Sequence, residues 1–147
     1  MEYNRIYVAV DGSQQSELAL AKAIAVSKRN NNAKIHAVHV VDKSARAHLA
    51  EHVDQLYLQG LQEHAKKLHE KYESQLTEAN APYEFIRLEG SPKHELIKLF
   101  KTLEEHDLVI CGATGISNSI DRMLFGSVSD GIVRQSACDV LVVRTRE

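Results

Sequence analysis

Three observations predict an α/β protein built on a parallel sheet. Short, nearly continuous runs of β-branched and apolar residues recur five times along the 147 residues. The stretches between them are longer, and several carry apolar residues at helical spacing. Of the turns that end the first four strands, three carry glycine and two carry a short acid or hydroxyl. Strands that read as continuous Val/Ile runs are strands covered on both faces. The order β-α-β-α-β-α-β-α-β then gives one doubly wound domain with a five-stranded parallel sheet, spanning residues 1–147.

Ile6, Tyr7, Val8, Ala9 and Val10 form the first strand, ended by Asp11-Gly12-Ser13. Residues 13–29 turn to Ala, Leu, Gln and Lys, with Ala21, Ile24 and Ala25 at helical spacing. Asn30-Asn31-Asn32 is a turn cluster. Residues 35–41 are the second strand. Residues 47–79 read as a long helix whose Leu61, Ala65, Leu68 and Tyr72 mark one face, and Pro82 stops it. Residues 83–88 are a third, more polar strand. Gly90-Ser91-Pro92 opens a helix, with Ser91 suited to the N-cap and Pro92 to the first helical position. Leu96, Leu99, Phe100 and Leu103 supply its buried stripe. Residues 107–111 and 140–143 are the fourth and fifth strands, with a helix between them beginning near Gly126.

Lys and Arg total 18 against 20 Asp and Glu, so the net charge is -2 and no basic excess exists to grip nucleic acid. Hydrophobic residues at 44% and charged residues at 26% describe a globular chain, long enough to bury a core without disulfide or metal staples. Cys111 and Cys138 form no C-x-x-C, which favours a reducing compartment. Met1-Glu2-Tyr3-Asn4-Arg5 runs directly into the first strand, leaving no signal-peptide core, and no apolar run reaches the roughly 18 residues of a membrane span. A soluble, cytoplasmic protein that binds neither membrane nor nucleic acid is expected.

In open parallel sheets ligands bind beyond the carboxyl ends of the strands, where strand order reverses. Here those ends are Asp11-Gly12-Ser13, Val41-Asp42, Glu89-Gly90 and Gly112-Ala113-Thr114-Gly115. Helix starts at such turns leave amide donors without intrahelical partners, so this edge is expected to present N–H groups to solvent. Gly112 and Gly115 bracket a tight loop, and Gly126-Ser127-Val128-Ser129 opens the next helix. Glycine permits close approach of the backbone, the helix start offers amides with partial positive charge, and Ser127 and Ser129 add hydroxyls. Together they read as a polyphosphate cradle without lysine. Each helix-terminus contact contributes only ~0.3–1 kcal/mol, so several amides and a divalent cation are needed. The same residues also read more plainly, the glycines as turns and Ser127 with Asp130 as a capping box.

Other signals are weaker. No G-x-x-x-x-G-K-[ST] occurs and no G-x-G-x-x-G follows the first strand. Ser127-Val128-Ser129-Asp130-Gly131 lacks the first glycine of a nucleophile elbow. His48 and His52, four apart, with His64 and His69 read as solvated helix surface, because no third metal ligand is in register. Cys111 reads as a buried, inert thiol, and His36 and His39 as packing at the edge of the core.

Five motifs in order carry a family resemblance. Val8-Ala9-Val10-Asp11-Gly12-Ser13, His39-Val40-Val41-Asp42, Gly90-Ser91-Pro92, the run of residues 107–115 (D-L-V-I-C-G-A-T-G) and Phe125-Gly126-Ser127-Val128-Ser129 resemble the universal stress protein family, to the terminal V-L-V-V-R. The resemblance implies a Rossmann-like sheet ordered 3-2-1-4-5, similar to the adenine nucleotide alpha hydrolases, and a homodimer paired through the last strand (Val140, Leu141, Val142, Val143). ATP-binding members carry G-x2-G-x9-G-(S/T). Gly112, Gly115, Gly126 and Ser127 resemble it, with ten residues (116–125) where the pattern has nine. Asp139 stands where members often have proline.

Carried over, the resemblance places Asp11 by the ribose and adenine and the Val40 backbone on the adenine edge. Gly112, Thr114 and Gly115 would line the ribose and phosphates, the amides of Gly126, Ser127 and Val128 would hold the phosphates, and Ser129 would add a hydroxyl contact. The ligand implied is ATP, or ADP or AMP, with Mg or Mn and no metal-binding side chains. The expected role is a nucleotide-dependent switch of conformation or dimerisation, at most a slow ATPase, with no catalytic residue assigned. A dimeric interaction scaffold without nucleotide and an enzyme acting on a small adenylated substrate are the alternatives.

Overall fold

The computed structural model describes residues 2–42, 51–113 and 127–144, with the backbone alone for 51–54. In chain order it contains β1 (Arg5–Ala9), α1 (Gln14–Arg29), β2 (Lys34–Val41), α2 (Glu51–Glu78), β3 (Tyr83–Glu89), α3 (Pro92–Phe100), β4 (Asp107–Gly112), α4 (Ser127–Gln135) and β5 (Asp139–Val143). All strand pairs are parallel and the sheet order is β3-β2-β1-β4-β5. The chain therefore winds outward from β1 to β3, crosses back to β4 and continues to β5. The reversal lies between β1 and β4, whose carboxyl ends open the crevice expected at such a point.

The two-residue period of the strands divides the core into two layers. Ile6, Val8, Ile35, Ala37, Leu108 and Ile110 pack against α1 and α2, where Leu20, Ala23, Leu68, Tyr72 and Leu76 meet them. Tyr7, Val38, Val109 and Cys111 point the other way, against Leu96 and Phe100 of α3 and Ile132 of α4. The edge strands β3 and β5 are only half-buried, unlike the continuous β4.

Local chemistry explains most element ends. Ser13 caps α1, its hydroxyl accepting from the Ser16 amide at 3.1 Å. Asn31 and Asn32 turn the chain into β2 at φ 58° and 57°, a left-handed region that asparagine tolerates. Ser91 and Pro92 take the positions expected of them, but the Ser91 side chain makes no capping bond. The α2 stripe is confirmed, with Ala65, Leu68 and Tyr72 buried and Leu61 half-buried. For α1 the expected face is corrected. Ala21 is exposed and Ile24 and Ala25 are half-buried, whereas Ala19, Leu20, Ala23 and Val26 face the sheet.

At the amino-terminal edge Arg5 and Asp107 lock β1 to β4. Arg5 Nε donates to Asp107 Oδ1 at 2.8 Å and its guanidinium to Oδ2 at 2.6 Å, while the Glu104 amide donates to Oδ2 at 2.8 Å. Burial works to raise the Asp107 carboxyl, but these bonds outweigh it and hold the group below the usual carboxylate range. At the opposite edge α2 outreaches the sheet. Its 28 residues span about 42 Å, against about 23 Å for β3. Among residues 55–64 no side chain is buried.

Candidate functional site

The crevice beyond β1 and β4 has an apolar floor and a polar rim. Ala9, Val10, Val38, Val40, Leu96, Val128 and Ile132 line it with Pro92 and Cys111, and Asp11, Ser16, Gly112 and Ser129 supply its polar atoms. The crevice is open to solvent and holds about 50 Å³. Among these lining residues no lysine, arginine or histidine occurs. An anion bound here would depend on main-chain donors and the α4 start.

The first rim is the β1–α1 turn. Gly12 has φ +86°, a conformation that L side chains rarely adopt, and it sets the turn. Its amides are already engaged. Asp11 N–H donates to Ser16 Oγ at 3.2 Å, Gly12 N–H to Tyr72 Oη at 3.0 Å, and Ser13 N–H to Asp11 Oδ1 at 2.9 Å. The expectation that this edge presents free amides is therefore corrected here. Closure of the turn on itself and on Tyr72 leaves the Asp11 carboxylate as its polar group toward the crevice. Asp11 is half-buried, and its Oδ2 can accept from a ligand hydroxyl.

The second rim is the end of β4. Ser129 Oγ donates to the Gly112 carbonyl at 2.6 Å, and Ala113 N–H donates to Val143 O at 3.0 Å. These bonds clamp the strand end to α4 and β5. The Ser129 hydroxyl, expected to donate to a ligand, is thus engaged internally, because its one proton goes to Gly112. Gly112 also has a packing reason to be glycine. A Cβ there would stand 2.7 Å from Gln15 Cβ and 3.0 Å from the Gln15 carbonyl oxygen. Burial pushes the Cys111 thiol up to about 11, with the Ser129 hydroxyl working slightly against it. That is an inert thiol, as expected.

Val40 brings main chain as well as side chain to the site. Val38 O accepts from Val10 N–H at 2.9 Å on the β1 side, while Val41 O accepts from Gly90 N–H at 3.0 Å on the β3 side. Alternation then turns the Val40 N–H and C=O toward β1, beyond the point where that strand has ended. Ser127 is exposed and is the first residue of α4, a helical position rather than the N-cap of the alternative capping box. Asp130 of that box sits beside Arg134 Nε at 3.0 Å. Val128 is half-buried against the floor.

The structure thus brings Asp11, Val40, Gly112, Ser127, Val128 and Ser129 to one end of the sheet. Thr114, Gly115 and Gly126 lie outside the described residues, as does His48. Sequence reasoning missed the floor, above all Pro92, Leu96 and Ile132. The sole signal for them was that the G-S-P turn starts a helix at the same edge. Among the described residues no group of three or more His, Cys, Asp or Glu could hold a metal ion.

His36 and His39 are both buried, as packing residues should be. The His36 ring stacks on Tyr7 with centroids 4.5 Å apart, and its Nδ1 lies 3.4 Å from Glu84 without a hydrogen bond. Burial lowers both imidazoles below their ordinary range. Among the described residues no helix is long and apolar enough to cross a membrane.

Comparison with known proteins adds to this geometry. A family model described as the universal stress protein family matches residues 2–144. A universal stress protein of Staphylococcus saprophyticus is 40% identical over 148 residues, covering 100% of this chain and 87% of that one. The solved structure of a universal stress protein from Lactobacillus plantarum superposes with a TM-score of 0.83 at 28% identity, covering 98% of this chain and 99% of that chain. Another universal stress protein, solved in complex with cAMP, shares the fold with a TM-score of 0.69 at 24% identity, over 99% of this chain and 100% of that chain.

Proposed function

The chain belongs to the universal stress protein family, and on that premise we propose that it binds an adenine nucleotide, ATP first, in the crevice between β1 and β4. The observation that carries this reading is an apolar floor under a rim whose described residues include no basic side chain, at the strand-order reversal. A family member of the same fold that holds cAMP supports it.

The Val40 main chain offers one donor and one acceptor to the adenine edge. The Asp11 carboxylate accepts from the ribose. Gly112, Thr114 and Gly115 border the sugar and phosphates, and the amides of Gly126, Ser127 and Val128 hold the phosphates. Ser129 serves by fixing Gly112, and reaches the ligand through its amide. A divalent cation, Mg or Mn, would neutralise the phosphates without protein ligands. Its chemistry is charge compensation. The role that goes with this ligand is a nucleotide-dependent switch of conformation or dimerisation in the cytoplasm, within one domain and at most a slow ATPase.

The second subunit of a homodimer would add to the β5 edge. Between Asp139 and Arg144 that edge carries Val140, Leu141, Val142 and Val143 with no charge to discourage pairing. Leu18 and Val133, 38% and 40% exposed, are the partly uncovered apolar side chains of the neighbouring helices α1 and α4.

The ten residues between Gly115 and Gly126, one more than the pattern of ATP-binding members, favour a second reading in which the protein is a dimeric scaffold without nucleotide. Calorimetry with Mg-ATP separates the two. The parent should bind while Gly115→Val and Gly126→Val, both folded by circular dichroism, should not. A dimeric parent that takes up no nucleotide establishes the scaffold instead.

A further inference from the structure

On the solvent side of α3 and α4, away from the crevice, lies a second concavity of about 420 Å³. Lys93, His94, Lys98 and Lys101 surround it, Ile97 lies half-buried within it, and Gln135 of α4 closes it. All four basic side chains are exposed, and none of the three lysines makes an ion pair with a described residue. On α4, Arg134 pairs with Asp130, so that helix contributes no compensating charge. His94 Nε2 lies 4.0 Å from Glu95 Oε2 on the same helix, which leaves the three lysines as the concentration of positive charge on a chain whose net charge is -2.

Helix electrostatics explains only half of this pattern. Lys98 and Lys101 stand near the α3 carboxyl terminus, where cations are favoured, but Lys93 and His94 stand in its first turn, where they are not. Packing places Lys93. A Cβ on Gly131 would stand 2.6 Å from Ile97 Cδ1 and 3.2 Å from Lys93 Cε. The absence of that atom lets the α4 backbone receive the lysine stem and the isoleucine tip together, which limits where the ammonium can go.

We infer that this groove docks an acidic segment of a partner protein, with carboxylates on Lys93, Lys98 and Lys101 and an apolar side chain on Ile97. Charge complementarity selects the acid, and the isoleucine between the lysines selects a peptide over a simple polyanion. The inference does not depend on what occupies the crevice.

The test uses a fluorescein-labelled peptide of Glu-Glu-Leu-Glu repeats and reads anisotropy. The groove variant K93E/K98E/K101E is compared with K22E/K66E/K67E, which changes net charge equally at exposed lysines elsewhere. The expected result is that parent and control variant bind alike, while the groove variant binds about tenfold more weakly. Ile97→Ser should weaken the peptide but leave an all-glutamate peptide unaffected. Equal loss in both triple variants, or no binding by the parent, overturns the inference. Preferential binding of single-stranded RNA, displacing the peptide, also overturns it and assigns the groove to nucleic acid.

Discussion

Gly112→Ala decides whether Gly112 is glycine because a ligand approaches it or because α1 does. The new methyl would meet Gln15 Cβ at 2.7 Å and the Gln15 carbonyl oxygen and carbon at 3.0 and 3.1 Å. Ordinary carbon contacts lie near 3.5–4.0 Å, so about 1 Å of relief is needed. Two of the three atoms are backbone, and no rotamer of Gln15 can supply that relief. The first turn of α1 must move off β4, carrying with it Ala19, Leu20 and Ala23, which are buried against the sheet. Overpacking of this kind costs about 1–3 kcal/mol. For a chain of this length each kcal/mol lowers Tm by roughly 2–4 °C. Thermal unfolding by circular dichroism, without nucleotide, reads the effect directly. Adding Gln15→Gly removes the nearest atom but not the carbonyl, and should recover only part of the loss. If Gly112→Ala melts with the parent, the packing argument is wrong and the glycine serves the ligand alone.

Three further outcomes follow from the same geometry. Burial holds the folded-state pKa of His36 below its unfolded value of 6.5, so the native state takes up this proton less readily than the unfolded chain. Its contribution to stability is intact above that value and is lost progressively as pH falls from there through the lower folded-state pKa. The urea midpoint should therefore fall from about pH 7.5 to about pH 5.5, and fall less in His36→Phe, which keeps the stack on Tyr7; an equal fall in both removes His36 as a source. Ser129→Ala leaves the Gly112 carbonyl without its 2.6 Å donor, at a cost of about 1–2 kcal/mol in urea unfolding, and an unchanged midpoint refutes the clamp. Burial pushes the Cys111 and Cys138 thiols each up to about 11, so iodoacetamide should label neither at a useful rate until urea is added, and rapid native labelling contradicts the packing.

Much of the architecture was legible because it depends on runs long enough to average over neighbours. The apolar stretches of β1, β2 and β4 have no alternative to a covered parallel sheet, and Pro82 and Pro92 fix two boundaries by stereochemistry alone. The α1 face was misread because alanine, which dominates that helix, is compatible with either side. Ala21 and Ala23 differ only in what lies across from them, exposed solvent or β1, and that is tertiary information. The edge position of Asp11, Gly112 and the α4 start was readable from the topological rule. The engagement of the Asp11, Gly12 and Ser13 amides was not, because one acceptor is the hydroxyl of Tyr72, sixty residues away. Gly112 shows the same limit, since a glycine required by Gln15 and one required by a phosphate are identical in sequence.

The unequal reach of α2 and the sheet makes one continuous helix thermally heterogeneous. From Ala65 onward it is anchored by Ala65, Leu68, Tyr72 and Leu76 in the core, so its amides open only when the domain does. The preceding turns, residues 55–64, contain Gly60 and bury no side chain, and a helix with that little tertiary backing is marginal in water. Deuterium uptake should therefore divide the helix near His64, with short lifetimes before it and long ones after. A single uniform lifetime would mean that something else braces the projecting turns.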